Sequence, residues 1–171
     1  MSAPQRLVSF AHGKESGPWG AKITCLAEVA RRRGYAVESL DYSHTHDADE
    51  RVRQLLAHRP RAQTLVLAGS SMGGYVAAQS CAELAPTALF LMAPALYFPG
   101  FEREPAGIPD RCTVVHGWDD DIVPPERAIR FAQTHRAELH LLPSGHTLTD
   151  QLPMLQRLFD SLLARAAGLP A

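Results

Sequence analysis

The feature that most constrains the fold is a regular alternation of short apolar runs with longer stretches whose apolar residues recur at helical spacing. Residues 7–11 (Leu-Val-Ser-Phe-Ala) form an apolar run of the kind buried on both faces of a parallel sheet. After a loop rich in Gly and Pro, Ile23, Leu26, Ala27 and Ala30 line one helical face, and Gly34 sits where a C′ glycine ends a helix. Residues 36–40 read as a second strand. Val52, Leu55 and Leu56 mark a second helix, opened by Asp47 with Glu50 three residues later as a capping box. The third strand, 64–68, runs into a glycine-rich turn and a helix carrying Val76, Ala77, Ser80, Cys81 and Leu84. Residues 88–92, 113–116 and 138–142 supply three more strands. Ala128, Ile129 and Ala132 mark the helix between the last two, and Leu155, Leu158, Phe159, Leu162, Leu163 and Ala166 mark a final one.

Such alternation implies right-handed βαβ units, hence an α/β fold with a six-stranded parallel sheet sandwiched between two helical layers. Active sites in these sheets gather at the carboxyl ends of the strands. A length of 171 residues suits one domain, 1–171, able to bury roughly 70% of its unfolded surface. Only residues 93–111 lack periodicity. They hold Pro94, Pro99, Pro105 and Pro109, and a loop of about twenty residues exceeds the usual length, marking a candidate functional segment.

Composition removes several classes of function. Seventeen basic against eighteen acidic side chains leave a net charge of −1, which offers no footprint for nucleic acid or an acidic membrane. Cys25, Cys81 and Cys112 are widely spaced, as expected of reduced thiols packed as small hydrophobes. With no signal-like or membrane-spanning run, the expected address is the cytoplasm. No phosphate-loop or dinucleotide pattern appears, so no cofactor is expected. The His44–Asp49 stretch offers metal-ligand types, but capping by Asp47 accounts for it more simply, and no metal is expected.

The chemistry concentrates in three places. Gly69-Ser70-Ser71-Met72-Gly73 fits Gly-x-Ser-x-Gly, a turn that needs a strand before it and a helix after it. Its strained centre would lift Ser71 above the sheet, at the positive end of the following helix. A serine hydroxyl is inert until a base takes its proton and a third group orients that base. His146, just after the last strand, is the candidate base. Asp119, Asp120 and Asp121, just after the fifth strand, compete for the third role, and one of them would cap the next helix.

At His116-Gly117-Trp118-Asp119-Asp120-Asp121-Ile122-Val123-Pro124 the chain resembles the α/β-hydrolase superfamily. Members often carry His-Gly-x-x-Asp-x-Ile/Val-Val-Pro there, which by resemblance puts the catalytic acid at Asp120. His12-Gly13 resembles the family's His-Gly turn, implying an oxyanion hole made by the backbone N–H groups of Lys14 and Met72. The resemblance covers nearly the whole chain. Two departures stand out: the two antiparallel N-terminal strands and the lid are missing, as in small lidless bacterial serine esterases.

The implied activity is hydrolysis of a small-molecule carboxylic ester or thioester through an acyl-enzyme intermediate. The same triad also serves amide or carbon–carbon bond cleavage, and a non-catalytic binding or scaffolding protein can keep such a fold. Trp19, Met72, Tyr97, Phe98, Phe101, Trp118 and Leu148 are the expected apolar contacts of an acyl or aryl group. The sequence leaves the oligomeric state open.

Overall fold

The computed structural model describes residues 2–169. Its elements, in chain order, are β1 (Arg6–Ala11), α1 (Ala21–Arg32), β2 (Ala36–Ser39), α2 (Ala48–His58), β3 (Thr64–Ser70), α3 (Met72–Leu84), β4 (Ala88–Met92), β5 (Cys112–Gly117), α4 (Pro125–His135), β6 (Glu138–Leu142) and α5 (Leu152–Ala166), with one 3-10 turn (Thr149–Gln151) before α5. All strands are parallel, in the order β2-β1-β3-β4-β5-β6.

The period of two along each strand divides the core. Leu7, Leu65, Leu67, Leu89, Leu91 and Val114 face one way and pack with α2, α3 and α4. Val8, Phe10, Val66, Ala68, Phe90 and Val115 face the other way, against α1 and α5. Both sheet faces are therefore covered, which is why the central strands read as continuous apolar runs. Each fully buried leucine or phenylalanine in these layers contributes roughly 1.5–3 kcal/mol.

Local signals act largely as the sequence implies. Asp47 accepts from the N–H groups of Asp49 and Glu50 and so caps α2. The reciprocal half of the capping box is not made: the Asp47 N–H donates to Thr45 Oγ1 at 3.1 Å, and Glu50 accepts from the Thr45 hydroxyl at 2.7 Å. Gly34, at φ +77°, turns the chain away from α1. In α4 the inward residues are Ala128, Phe131 and Ala132, while Ile129 is only partly buried. Residues 93–111 contain neither helix nor strand. Among the described residues, no helix is long and apolar enough to cross a membrane.

Candidate active site

Ser71 separates β3 from α3 and holds φ +54°, ψ −118°, a region that costs a non-glycine residue about 1–3 kcal/mol. The surroundings leave it no alternative. Its N–H donates to the Met92 carbonyl at 2.9 Å, and its own carbonyl accepts from Gly74 and Ala95 N–H, each at 2.9 Å. The flanking glycines are enforced by crowding: a Cβ on Gly69 would lie 2.2 Å from the Gly73 carbonyl oxygen, and one on Gly73 1.9 Å from that of Ala11.

The β5 and β6 loops bring the other two side chains to Ser71. Trp118 N–H donates to Leu142 O at 2.9 Å and Asp119 N–H to Ser144 O at 3.0 Å, so the two loops leave the sheet bonded together. The Ser144 hydroxyl donates to Asp150 at 2.5 Å and ties the His146 loop to the turn before α5. His146 Nε2 then lies 3.0 Å from Ser71 Oγ, and its Nδ1 lies 2.7 Å from Asp120 Oδ2. These contacts fix the tautomer. Nδ1–H donates to the carboxylate, which leaves Nε2 free to accept from the serine.

Asp120 has no exposed side-chain surface. Its Oδ1 accepts from the N–H groups of Ile122 (2.9 Å) and Val123 (2.8 Å). On the far side stands His116, whose Nε2–H reaches Val123 O at 2.8 Å and Asp120 Oδ2 at 3.1 Å. Burial holds the His116 pKa below the ordinary histidine value, with only partial compensation from Val123 and Asp120. A neutral imidazole therefore backs the carboxylate. Asp119 and Asp121 make no contact with His146 and are exposed.

The loop after β1 is built with equal care. Tyr42 N–H donates to His12 Nε2 at 2.9 Å, so His12 Nδ1–H donates to Gly13 O at 2.8 Å. Burial also holds the His12 pKa below its usual value. Arg51, fully buried on α2, donates to the carbonyls of Thr45 (2.9 Å), Gly13 (3.1 Å), His12 (3.2 Å) and Lys14 (3.5 Å). The Gly13 carbonyl is thus clamped from two sides. Since a trans peptide points its C=O and N–H in opposite directions, the Lys14 N–H is turned away from that clamp. Met72 is the first residue of α3, so its N–H has no intrahelical acceptor.

These groups border a cavity of about 720 Å³. Lys14, Ser71, Met72 and His146 line it, as do Phe98 and Phe101, whose rings stack at 4.7 Å. The other expected contacts require correction, for none of them lines it. Trp19 is 47% exposed and lies beside the Arg31 guanidinium. Trp118 is 55% exposed, because the bond between its backbone and Leu142 turns the side chain outward. Tyr97 is buried, donates to Glu104 at 2.8 Å and lies under the Arg130 guanidinium at 3.9 Å. Leu148 is wholly buried and packs in the α5 layer of the core.

Sequence reasoning missed Lys22, Ile122 and Arg51. Ile122 lines the cavity at its exposed mouth. Lys22, in the first turn of α1, also lines it and donates to Ser70 Oγ at 2.8 Å. Desolvation brings its pKa down to about 8, against the opposing charge of Asp120. A cation is disfavoured at a helix N-terminus, and that oddity was the signal available. Arg51 gave none, since an arginine on an amphipathic helix ordinarily faces solvent.

No protein-family model matches the chain, and no curated protein does. Solved structures do match. A protein from Xanthomonas campestris pv. campestris, described as a hydrolase of the α/β superfamily, superposes with a TM-score of 0.86 at 35% identity, over 95% of this chain and 99% of its own. A second Xanthomonas campestris protein, an α/β serine hydrolase without a lid, gives a TM-score of 0.71 at 26% identity, over 99% of this chain and 85% of its own. Est1E from Butyrivibrio proteoclasticus gives 0.82 at 18% identity, over 98% of this chain and 90% of its own, and shows the shared fold alone. With 35% identity running through nearly the full length of both proteins, the chain belongs to the α/β-hydrolase superfamily.

Proposed function

We propose that the protein is a serine hydrolase cleaving a carboxylic ester or thioester through an acyl-enzyme intermediate. The observation that carries this reading is the unbroken path Ser71 Oγ–His146 Nε2 at 3.0 Å and His146 Nδ1–Asp120 Oδ2 at 2.7 Å. In the first step Ser71 Oγ attacks the acyl carbon while its proton passes to His146 Nε2, and the carbonyl electrons move onto oxygen. Asp120 does not take the proton; it holds the ring and stabilises the imidazolium. The N–H groups of Met72 and Lys14 receive the oxyanion, and each such donor typically supplies about 2.7–4 kcal/mol of transition-state stabilisation.

Collapse of the tetrahedral intermediate breaks the bond to the leaving alkoxide or thiolate, which takes the proton back from His146. Water, deprotonated by the same nitrogen, then attacks the acyl-enzyme and releases the acid. Met72, Phe98 and Phe101 give the acyl or aryl group an apolar wall. Without a lid, that group stays accessible to solvent, and binding contributes modestly.

Steady-state hydrolysis of 4-nitrophenyl butyrate and of a butyryl thioester tests the reading. Turnover of either by the wild type, lost in Ser71→Ala, is expected; equal rates in the two proteins overturn it.

A further inference from the structure

The two walls of the cavity differ in character. Ala95, Phe98, Phe101 and Ile122 form an apolar side. The opposite side is the N-terminus of α1, where Gly20, Ala21, Lys22 and Ile23 face the same space. The N-cap, Gly20, has no side chain to take up the first-turn amides, and that turn carries no acidic residue. Those amides therefore stand as open donors, and the helix dipole adds positive potential. Lys22 brings a full charge to the same spot. One ammonium hydrogen goes to Ser70 Oγ, and among the described residues no other side chain or carbonyl accepts from this three-donor group. Among the described residues, no carboxylate comes within 4.0 Å of it.

The neighbouring acids do not fill that role. Asp120 is saturated by His146, His116 and two backbone amides. Glu15, from the β1 loop, lines the cavity but makes no ion pair with Lys22. A half-buried ammonium beside open helix amides, with no carboxylate paired to it, makes this wall favour an anionic group over a neutral one.

We propose that this wall is a subsite for a carboxylate carried by the substrate, so that the preferred ester or thioester has an apolar body and one anionic end. The inference rests on the serine-hydrolase reading for its chemistry but not for its binding. It adds to the expectation of an acyl or aryl group with apolar contacts: the charge belongs away from the phenylalanines.

The test compares matched esters. The mono-4-nitrophenyl ester of glutarate carries the carboxylate on the acyl side and 3-(butyryloxy)benzoate on the leaving-group side; 4-nitrophenyl valerate and phenyl butyrate are the neutral partners. At pH 7 the wild type is expected to favour one anionic ester over its partner by roughly tenfold in kcat/KM, the scale of a charge-assisted hydrogen bond. The arm that shows it identifies which side bears the charge. In Lys22→Met the ratio falls to about one, whatever the absolute rates, and in Lys22→Arg it survives.

Calorimetric titration of glutarate into Ser71→Ala separates the two readings, because it needs no turnover. Glutarate binding abolished by the added Lys22→Met change, with no ester hydrolysed by the wild type, upholds the subsite and overturns the hydrolase reading. Ester hydrolysis without any anionic preference, or a preference that persists in Lys22→Met, overturns the subsite alone. Should Lys22→Met fail to fold, Lys22→Gln decides: a ratio that falls to about one upholds the subsite, and a ratio that persists overturns it.

Discussion

The rim carrying Ser71, Asp120 and His146 and the wall formed by residues 93–111 face the same cavity but are held in place by different physics. On the rim the links are buried or half-buried, and the Asp120, His116, His12 and Arg51 side chains have no exposed surface. Asp120 takes two amides and two imidazoles, Arg51 grips four carbonyls, and the β5 and β6 loops are bonded together. The wall begins in the core, with residues 93–97 buried and Ala95 N–H bonded to Ser71 O, but its outer part, residues 98–104, is held by exposed pairs. Arg103 reaches Asp49 at 3.0 Å and Glu104 meets Arg130 at 3.6 Å, all about half exposed, while Glu104 also lies 2.9 Å from the more sheltered His135. Buried hydrogen bonds in a low dielectric fix one geometry and resist salt. Exposed pairs contribute about 0–1 kcal/mol and are screened. On the proposed function, chemistry takes the more rigid side and the acyl group the more adjustable one.

The largest effect is expected at Asp120. Asp120→Asn keeps the shape but offers an amide where His146 Nδ1–H needs an acceptor, and kcat should fall by about 10⁴. A fall under tenfold breaks the claim that this carboxylate sets the tautomer. Next comes Arg51. Its planar fork reaches four carbonyls that one ammonium cannot, so Arg51→Lys should loosen the His12–Lys14 loop. The expectation is a drop of roughly 10²-fold in kcat with KM changed less than threefold; the reverse pattern, KM moving and kcat not, assigns Arg51 to ground-state binding instead.

Acid should destabilise the rim before the wall. Burial lowers the pKa values of His12 and His116 below 6.5, whereas the unfolded chain takes up those protons at the ordinary value. The unfolded state then binds more protons at low pH. Stability present above about pH 6.5 is lost as the pH falls, by up to about 1.4 kcal/mol per pH unit for each histidine. Urea melts between pH 7.5 and 5 measure the slope, and a flat profile contradicts it. The smallest effect belongs to the outer wall. Arg103→Ala, which removes the exposed pair with Asp49, should cost less than about 1 kcal/mol, leave kcat within twofold and mimic the effect of 0.5 M NaCl on KM; a loss of several kcal/mol abolishes the distinction between the two sides.

The sequence made the framework legible and the site only partly so. Strands 88–92 and 138–142 have the predicted ends because apolar runs end where the polar turn begins. The α4 register slipped: Ile129 and Phe131 are both apolar, and only tertiary packing decides that Phe131 goes inward. Ser71 and His146 could be picked out because each sits at the carboxyl end of a strand, whereas position left Asp119, Asp120 and Asp121 equivalent and only the family resemblance pointed to Asp120. The aromatic contacts could not. Trp118 follows Gly117 directly, yet one backbone bond sends its ring to solvent, and Tyr97 is claimed by Glu104 and Arg130. Lys22 and Arg51 act through partners 48 and 38 residues away, which no local pattern encodes.

On the proposed function one hydroxyl, and no other, is made nucleophilic by His146. Intact-mass measurement after treatment with a fluorophosphonate tests it most directly, with peptide mapping of the adduct. A single adduct on Ser71 is expected, absent from Ser71→Ala and greatly slowed in His146→Ala. Equal labelling of Ser71→Ala, or an adduct on Ser70 or Ser144 in the wild type, contradicts it.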